Sequence, residues 1–291
     1  MLAAPRALAP LVAVAVPGFE LLDVPAFVAG VPPGRTLAAR LPGGAAAVNL
    51  HGRGPESHAL LAAARPERLL GFELPGSPSW DEREHEVHRW CRLLAAYGIP
   101  ADPADLDVRL PRAPSYDPDG PTLIHAGAAS AARRWPVERW VAVARGERER
   151  GREVLLSGSA REAPLAREVA VRAGLPAGAS RAGATGDLLD LARLVASAGR
   201  VVCGDTGVAH LATALRTPSV VLFGPTDPAR WGPPADRPWH VVLWHGALGD
   251  PHAAVADRGL LEIGPADVLA ALSALAAPAP GRRSPVAPPA R

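Results

Sequence analysis

Apolar positions in this chain fall into short continuous runs separated by longer amphipathic stretches, and the alternation is most regular after residue 121. The runs at 122–125, 153–156, 200–203, 219–223 and 239–244 are rich in Val, Leu and Ile and too short for helices. Such runs read as strands buried on both faces. The stretches starting at 136 and spanning 161–172, 187–198 and 208–215 carry helical spacing instead. Strands that alternate with helices imply a parallel, doubly wound sheet with right-handed crossovers. Before residue 110 the pattern is weaker. It predicts strands at 11–16 and 45–50 and a helix over 84–97 that Gly98 and Pro100 stop.

Between the two regions, residues 111–121 hold four prolines and a glycine, which suit neither a helix nor a strand interior. With 291 residues, the chain exceeds what one core usually fills. The expected organisation is therefore a first domain over 1–112, a linker over 113–121, a second domain over 122–277 and a disordered tail over 278–291. Five prolines and three arginines in that tail leave little to bury.

Composition narrows the function. Lysine is absent, so all 31 basic residues are arginine, and the formal charge is only +2. A balance so close to neutral argues against nucleic acid as a partner and makes any phosphate site local. Two cysteines cannot form a disulfide framework, and Cys203 sits inside an apolar strand. No apolar run reaches the ~20 residues of a membrane span. Residues 1–16 imitate a signal peptide, but a single charge and Pro10 weaken that reading, so a first strand and a cytoplasmic chain are expected.

Candidate chemistry begins at Val201-Val202-Cys203-Gly204-Asp205-Thr206-Gly207-Val208-Ala209-His210. It reads as a buried strand, a tight turn and a helix whose first N–H groups stay open to an anion. Asp205 and Thr206 then stand at the carboxyl edge of the sheet, where open α/β folds bind ligands. A plain N-cap by either side chain is the alternative. His210 lies on the same helix face as Thr206, as a diphosphate contact or a satisfied structural histidine. Upstream, Gly127 opens a loop that offers backbone N–H groups, the Ser130 hydroxyl and the guanidinium groups of Arg133 and Arg134 before Trp135-Pro136. Two solvated arginines over a packed tryptophan would look the same. After Ser157-Gly158-Ser159, Glu162 is placed to accept from ribose hydroxyls, or simply to sit in a first helical turn. Thr185-Gly186-Asp187-Leu188 reads as a capped helix start. In His85-Glu86-Val87-His88 the histidines are three apart, one short of the zinc spacing, and no third ligand follows, so no metal is expected.

Taken together, the Asp205-Thr206-Gly207…His210 run with Phe223-Gly224-Pro225-Thr226, the block Ile124-His125-Ala126-Gly127-Ala128 followed by Arg133-Arg134-Trp135-Pro136 and Trp140, and Asn49-Leu50-His51-Gly52-Arg53-Gly54 with His85-Glu86-Val87 and Arg89 resemble glycosyltransferase family nine. These are the heptosyltransferases that use ADP-heptose. The resemblance covers roughly residues 45–265. It implies two facing Rossmann-like domains, the B-type glycosyltransferase architecture, with the nucleotide sugar held mainly by the second.

By the same resemblance, Asp205, Thr206, Gly207, His210, Gly127, Ser130, Arg133, Arg134 and Glu162 would bind an ADP-sugar donor. His51, Arg53, His85 and Glu86 would serve a glycan or lipid-linked acceptor in cell-envelope or lipopolysaccharide biosynthesis. Transfer would be inverting and free of metal and cofactor, in the cytoplasm or peripheral to the inner face of the membrane. The family's first strand and its Leu-Gly-Asp loop, which carries the proposed general base, have no counterpart ahead of Leu2. A truncated first domain is therefore expected, and the catalytic base is unassigned. Ala247-Leu248-Gly249-Asp250 repeats those letters in a second-domain loop, and Asp250 is taken as coincidence. A non-catalytic nucleotide-sugar-binding protein, and more distantly a nucleotide-sugar epimerase, are the competing readings.

Overall fold

A computed structural model of the protein describes residues 1–23 and 45–278. The expected tail over 278–291 lies, after its first residue, outside the described residues. The chain divides into two compact units, Met1–Ala104 and a second from Asp105 onward.

In the first unit, β1 (Leu2–Ala4) pairs in parallel with β2 (Leu21–Asp23), and β3 (Ala46–Val48) pairs in parallel with β4 (Arg68–Leu70). Helices α1 (Ala9–Ala15), α2 (Glu56–Ala62) and α3 (Glu86–Ala96) accompany them. The strand expected at 11–16 is thus a helix, and the strand falls at Leu2–Ala4 instead. A run of Val and Ala fits both periods, and Pro10 lies in the first turn of α1, where a missing N–H breaks no hydrogen bond. α3 is anchored by the buried Arg89, which donates to the carbonyls of Asp81 and Glu84 at 2.8 and 2.7 Å and lies 4.0 Å over the Trp80 ring.

The second unit carries one five-stranded parallel sheet in the order β6–β5–β7–β8–β9. Its strands are β5 (Thr122–His125), β6 (Val154–Ser157), β7 (Arg200–Gly204), β8 (Ser219–Leu222) and β9 (His240–Leu243). Six helices, α4 (Val137–Glu149), α5 (Ala163–Arg172), α6 (Leu188–Ala196), α7 (Gly207–Leu215), α8 (Pro228–Trp231) and α9 (Arg258–Glu262), precede the last, α10 (Pro265–Ala274). Alternate strand residues feed two cores. Ile124, Leu156, Val202, Val220 and Leu222 pack with Trp140, Val169, Val268 and Leu272 on one face, and Leu123, Val201, Cys203 and Val221 pack with Val195, Val208 and Ala212 on the other. Side chains of this size contribute roughly 1.5–3 kcal/mol each when buried, so the double-sided core fixes strand register.

Residues 105–112, assigned by composition to the first domain, belong with the second unit. The Asp107 carboxylate lies 2.9 Å from both Arg216 and Arg237, and Val108 N–H donates to the Ala214 carbonyl at 2.8 Å.

Chain entry to β5 and β7 is equally constrained. Gly120 and Gly199 lie side by side just before these strands, and a Cβ on Gly199 would sit 2.6 Å from the Gly120 carbonyl oxygen. Backbone cannot yield as a side-chain tip can, so Gly199→Ala should lower stability by about 1–3 kcal/mol. An unchanged urea midpoint in that variant would contradict this packing.

Candidate functional site

In the second unit the sheet order reverses between β5 and β7, so crossovers leave to opposite faces there. A crevice opens outside the carboxyl ends of such strands, and ligands of doubly wound folds bind in it. The residues at those two ends are His125 through Gly127 and Gly204 through Thr206. Here the sequence-derived candidates of this unit gather.

At the β7 end, Asp205 is buried, and its carboxylate accepts from the Thr226 hydroxyl. Arg133 approaches it from the loop after β5. Its Nη1 donates to the Asp205 carbonyl at 3.2 Å and lies 3.8 Å from carboxylate Oδ2. Burial raises the Asp205 pKa, and Arg133, His210 and Thr226 only partly offset it. The carboxyl is therefore a strained charge that gains from every additional donor.

Thr206 occupies the N-cap position of α7 without capping it, and its buried Oγ1 meets the Cys203 thiol rather than a backbone N–H. The start of α7 is thus left without a side-chain cap. The exposed His210 stands one turn along α7 and acts on Asp205 electrostatically.

Ser130 has a structural task. Its hydroxyl donates to the Pro251 carbonyl at 2.6 Å and receives Arg133 Nε at 3.4 Å. This bond ties the loop after β5 to the loop after β9, which also docks through Ala132 N–H to the Ala253 carbonyl at 3.2 Å. Arg134 is exposed and donates Nε to the Ala128 carbonyl at 3.0 Å.

At the β6 end, the Glu162 carboxylate turns back from the start of α5. Its Oε2 accepts from the N–H and the hydroxyl of Ser159, both at 2.8 Å. Oε1 fills the space where Gly127 would carry a Cβ. Desolvation pushes Glu162 upward, but Ser159, His125 and Arg134 together hold its pKa below the usual value. Asp187 caps α6, accepting from Leu189 and Asp190 N–H at 2.8 and 3.0 Å, so the 185–188 element is a helix start. His125 and Thr226 are contacts that the candidate set lacked. Both stood in stretches that carry the resemblance, Thr226 in Phe223-Gly224-Pro225-Thr226 and His125 in Ile124-His125-Ala126, but only the β5–β6 register brings His125 beside Ser157.

The remaining candidates lie in the first unit. Exposed Arg53 forms an ion pair with Glu82 at 3.5 Å, joining the loop after β3 to the segment before α3. His51 is exposed, with its N–H on Asn49 Oδ1 at 3.0 Å. His85 caps α3 through Nδ1, and Glu86 binds the Arg89 guanidinium and Trp90 Nε1. Glu86 is thus committed to anchoring α3. Asp250 accepts from His252 N–H at 2.8 Å within its own loop. Among the described residues no three His, Cys, Asp or Glu side chains gather as a metal site, and no helix is long and apolar enough to cross a membrane.

Comparison with known proteins places this geometry. Residues 77–250 match the model of glycosyltransferase family 9 (heptosyltransferase). The chain is 35% identical over 156 residues to lipopolysaccharide heptosyltransferase 1 of Pseudomonas aeruginosa, covering 51% of this chain and 42% of that protein. It is 30% identical over 150 residues to lipopolysaccharide heptosyltransferase 2 of Escherichia coli, covering 50% and 43%. The match thus spans less than half the length of either relative. Among solved structures, E. coli ADP-heptose LPS heptosyltransferase II aligns with a TM-score of 0.71 at 21% identity over 94% of this chain and 87% of that one. E. coli heptosyltransferase WaaC with ADP aligns with a TM-score of 0.66 at 19% identity over 91% and 87%. The α/β architecture with parallel sheets is shared with both. A model match over more than half of the chain, two heptosyltransferase relatives and the common fold agree: this chain belongs to glycosyltransferase family 9, the heptosyltransferases.

Proposed function

We propose that this chain moves a heptose-type sugar from an ADP-linked donor to a glycan or lipid-linked acceptor of the cell envelope, at the cytoplasmic face of the inner membrane. The observation that carries this reading is the β7–α7 turn. A buried carboxylate, an open helix start and a guanidinium converge there at the sheet's switch point. Helix N–H groups and an arginine suit a diphosphate, and Asp205 suits hydroxyls of the sugar.

In this reading Thr206, Gly207 and His210 receive the diphosphate and the sugar beside it. Arg133, with Arg134 behind it, neutralises the charge that develops as the nucleotide departs, which is the main catalytic contribution. The Gly127 loop lets the phosphates approach backbone, and Glu162 accepts from ribose hydroxyls. His51 and Arg53, exposed in the first unit, are the acceptor-side candidates, with His85 behind them as a helix cap. Inversion without metal would leave deprotonation of the acceptor hydroxyl to a carboxylate or imidazole.

Titration calorimetry tests the donor site. The folded chain should bind ADP with or without a chelator, and Asp205→Ala and Arg134→Ala should each weaken binding of the full donor by about 1.5–3 kcal/mol. A folded chain indifferent to ADP, or one that needs a divalent ion, would overturn the reading. Release of ADP with transfer of the sugar, rather than binding alone, separates an enzyme from a nucleotide-sugar-binding protein.

A further inference from the structure

We infer that Gly127, Gly158 and Ser159 form a seat shaped for the Glu162 carboxylate, and that these three positions set affinity on the ribose side of the nucleotide by holding that carboxylate rather than by touching the ligand. The inference deepens the proposed ribose role of Glu162 and rests on it.

Two glycines mark the seat. Neither has a positive φ, so neither is required by its backbone conformation. Space is what they supply. The three atoms nearest to a Cβ on Gly127 would all belong to Glu162, with Oε1 at 2.0 Å, Cδ at 2.3 Å and Cγ at 3.0 Å. On Gly158 a Cβ would stand 3.2 Å from Glu162 Cβ and 3.1 Å from Ala182 Cβ. The glycines follow different strands, β5 and β6, and one side chain occupies the space beside both.

Ser159 closes the seat. Its N–H and hydroxyl both donate to Oε2 at 2.8 Å. Two donors engage the lone pairs of that oxygen, which leaves Oε1 as the oxygen with acceptor capacity to spare. Burial raises the Glu162 pKa, but the Ser159 donors, then His125 and Arg134, bring it below the usual value, so the seated group is a charged carboxylate at neutral pH. Glu162 N–H also donates to the Ser159 carbonyl at 3.0 Å, which makes a local box that would favour a helix start by itself. A local box, however, needs no clearance at the end of β5. The proposed phosphate role of the Gly127 loop lies with its backbone, and its missing side chain serves the carboxylate.

The test titrates the full chain calorimetrically with ADP and with inorganic pyrophosphate. In Gly127→Ala the methyl group displaces the end of a flexible side chain rather than backbone, so the variant folds and the carboxylate leaves Ser159. ADP should then bind about tenfold more weakly, as after Glu162→Ala, with pyrophosphate unchanged. Adding Gly127→Ala to Glu162→Ala should cause no further loss, because the methyl group then has room. Equal losses for the two ligands, or losses that multiply in the double variant, would overturn the seat and assign the space at Gly127 to the phosphates. Ser159→Ala keeps the backbone donor and should weaken ADP about threefold, and Ser159→Thr should restore it. If Gly127→Ala does not fold, the serine variants decide, and an unchanged ADP affinity in Ser159→Ala would overturn the inference. A Glu162→Ala variant with full ADP affinity would instead remove the ribose reading on which the seat depends.

Discussion

Arg133→Met should reduce turnover of an ADP-linked sugar by about a hundred- to a thousandfold, as expected when a donor aimed at developing negative charge is removed. The size of the effect follows from what one guanidinium holds together. It donates to the Asp205 carbonyl at 3.2 Å, stands 3.8 Å from the carboxylate and reaches Ser130 Oγ at 3.4 Å. The loops after β5, β7 and β9 therefore share this side chain, the last through Pro251.

Removing it also leaves Asp205 buried without its nearest cation. Its carboxyl, already raised by desolvation, then rises further, and a neutral Asp205 accepts hydroxyls less well. The loss should fall mainly on kcat, with a smaller rise in the donor KM, because the charge that Arg133 meets is greatest in the transition state. Arg133→Lys should recover only part of the activity, since an ammonium cannot span Asp205 and Ser130 at once. Steady-state kinetics of the three proteins checks this, and a methionine variant with wild-type kcat/KM would remove Arg133 from the catalytic account.

The second unit was legible because each of its strands is an uninterrupted apolar run bounded by turn residues, so length alone separates strand from helix. The position of Asp205 followed at once, since a strand–turn–helix in a parallel sheet puts the turn at the carboxyl edge. The 11–16 run failed for the opposite reason. Val and Ala at alternate places satisfy either period, and Pro10 is neutral in the first turn of α1. The first-domain boundary at 112 was drawn from proline content, which marks an irregular backbone without saying what it packs on. Asp107 finds Arg216 at 109 residues' separation, a pairing that no local pattern contains. The same holds inside the site. Arg133 and Arg134 are equivalent as letters, and only the fold sends Arg133 to Asp205, 72 residues away, while Arg134 turns to Ala128. Ser130 carried the right chemistry for a phosphate, yet its hydrogen goes to Pro251, 121 residues on.

The same long-range clamp should make the second unit acid-labile through one histidine. His240 begins β9 at the amino end of the sheet, away from the candidate site, with Nδ1 2.8 Å from Ser219 Oγ. Burial, and then the guanidinium groups of Arg237 and Arg216 gathered on Asp107, depress its pKa from 6.5 to about 3. The folded state thus favours the neutral ring, so this contribution is fully present above pH 6.5 and is lost as pH falls from 6.5 toward 3. A gap of that size corresponds to about 5 kcal/mol once the histidine is protonated on both sides of the transition.

Asp205 works in the opposite sense, because its raised pKa favours the protonated folded form as pH falls. A variant that changes only His240 isolates the effect. Urea unfolding of wild type and His240→Asn at pH 7.5 and pH 4.5 should show the wild type losing about 2–3 kcal/mol more than the variant over that interval, even if the variant is the weaker protein at pH 7.5. Parallel losses in the two proteins would mean that His240 takes up its proton without unfolding the clamp. The depressed pKa, and the buried arginine pair invoked to explain it, would then be wrong.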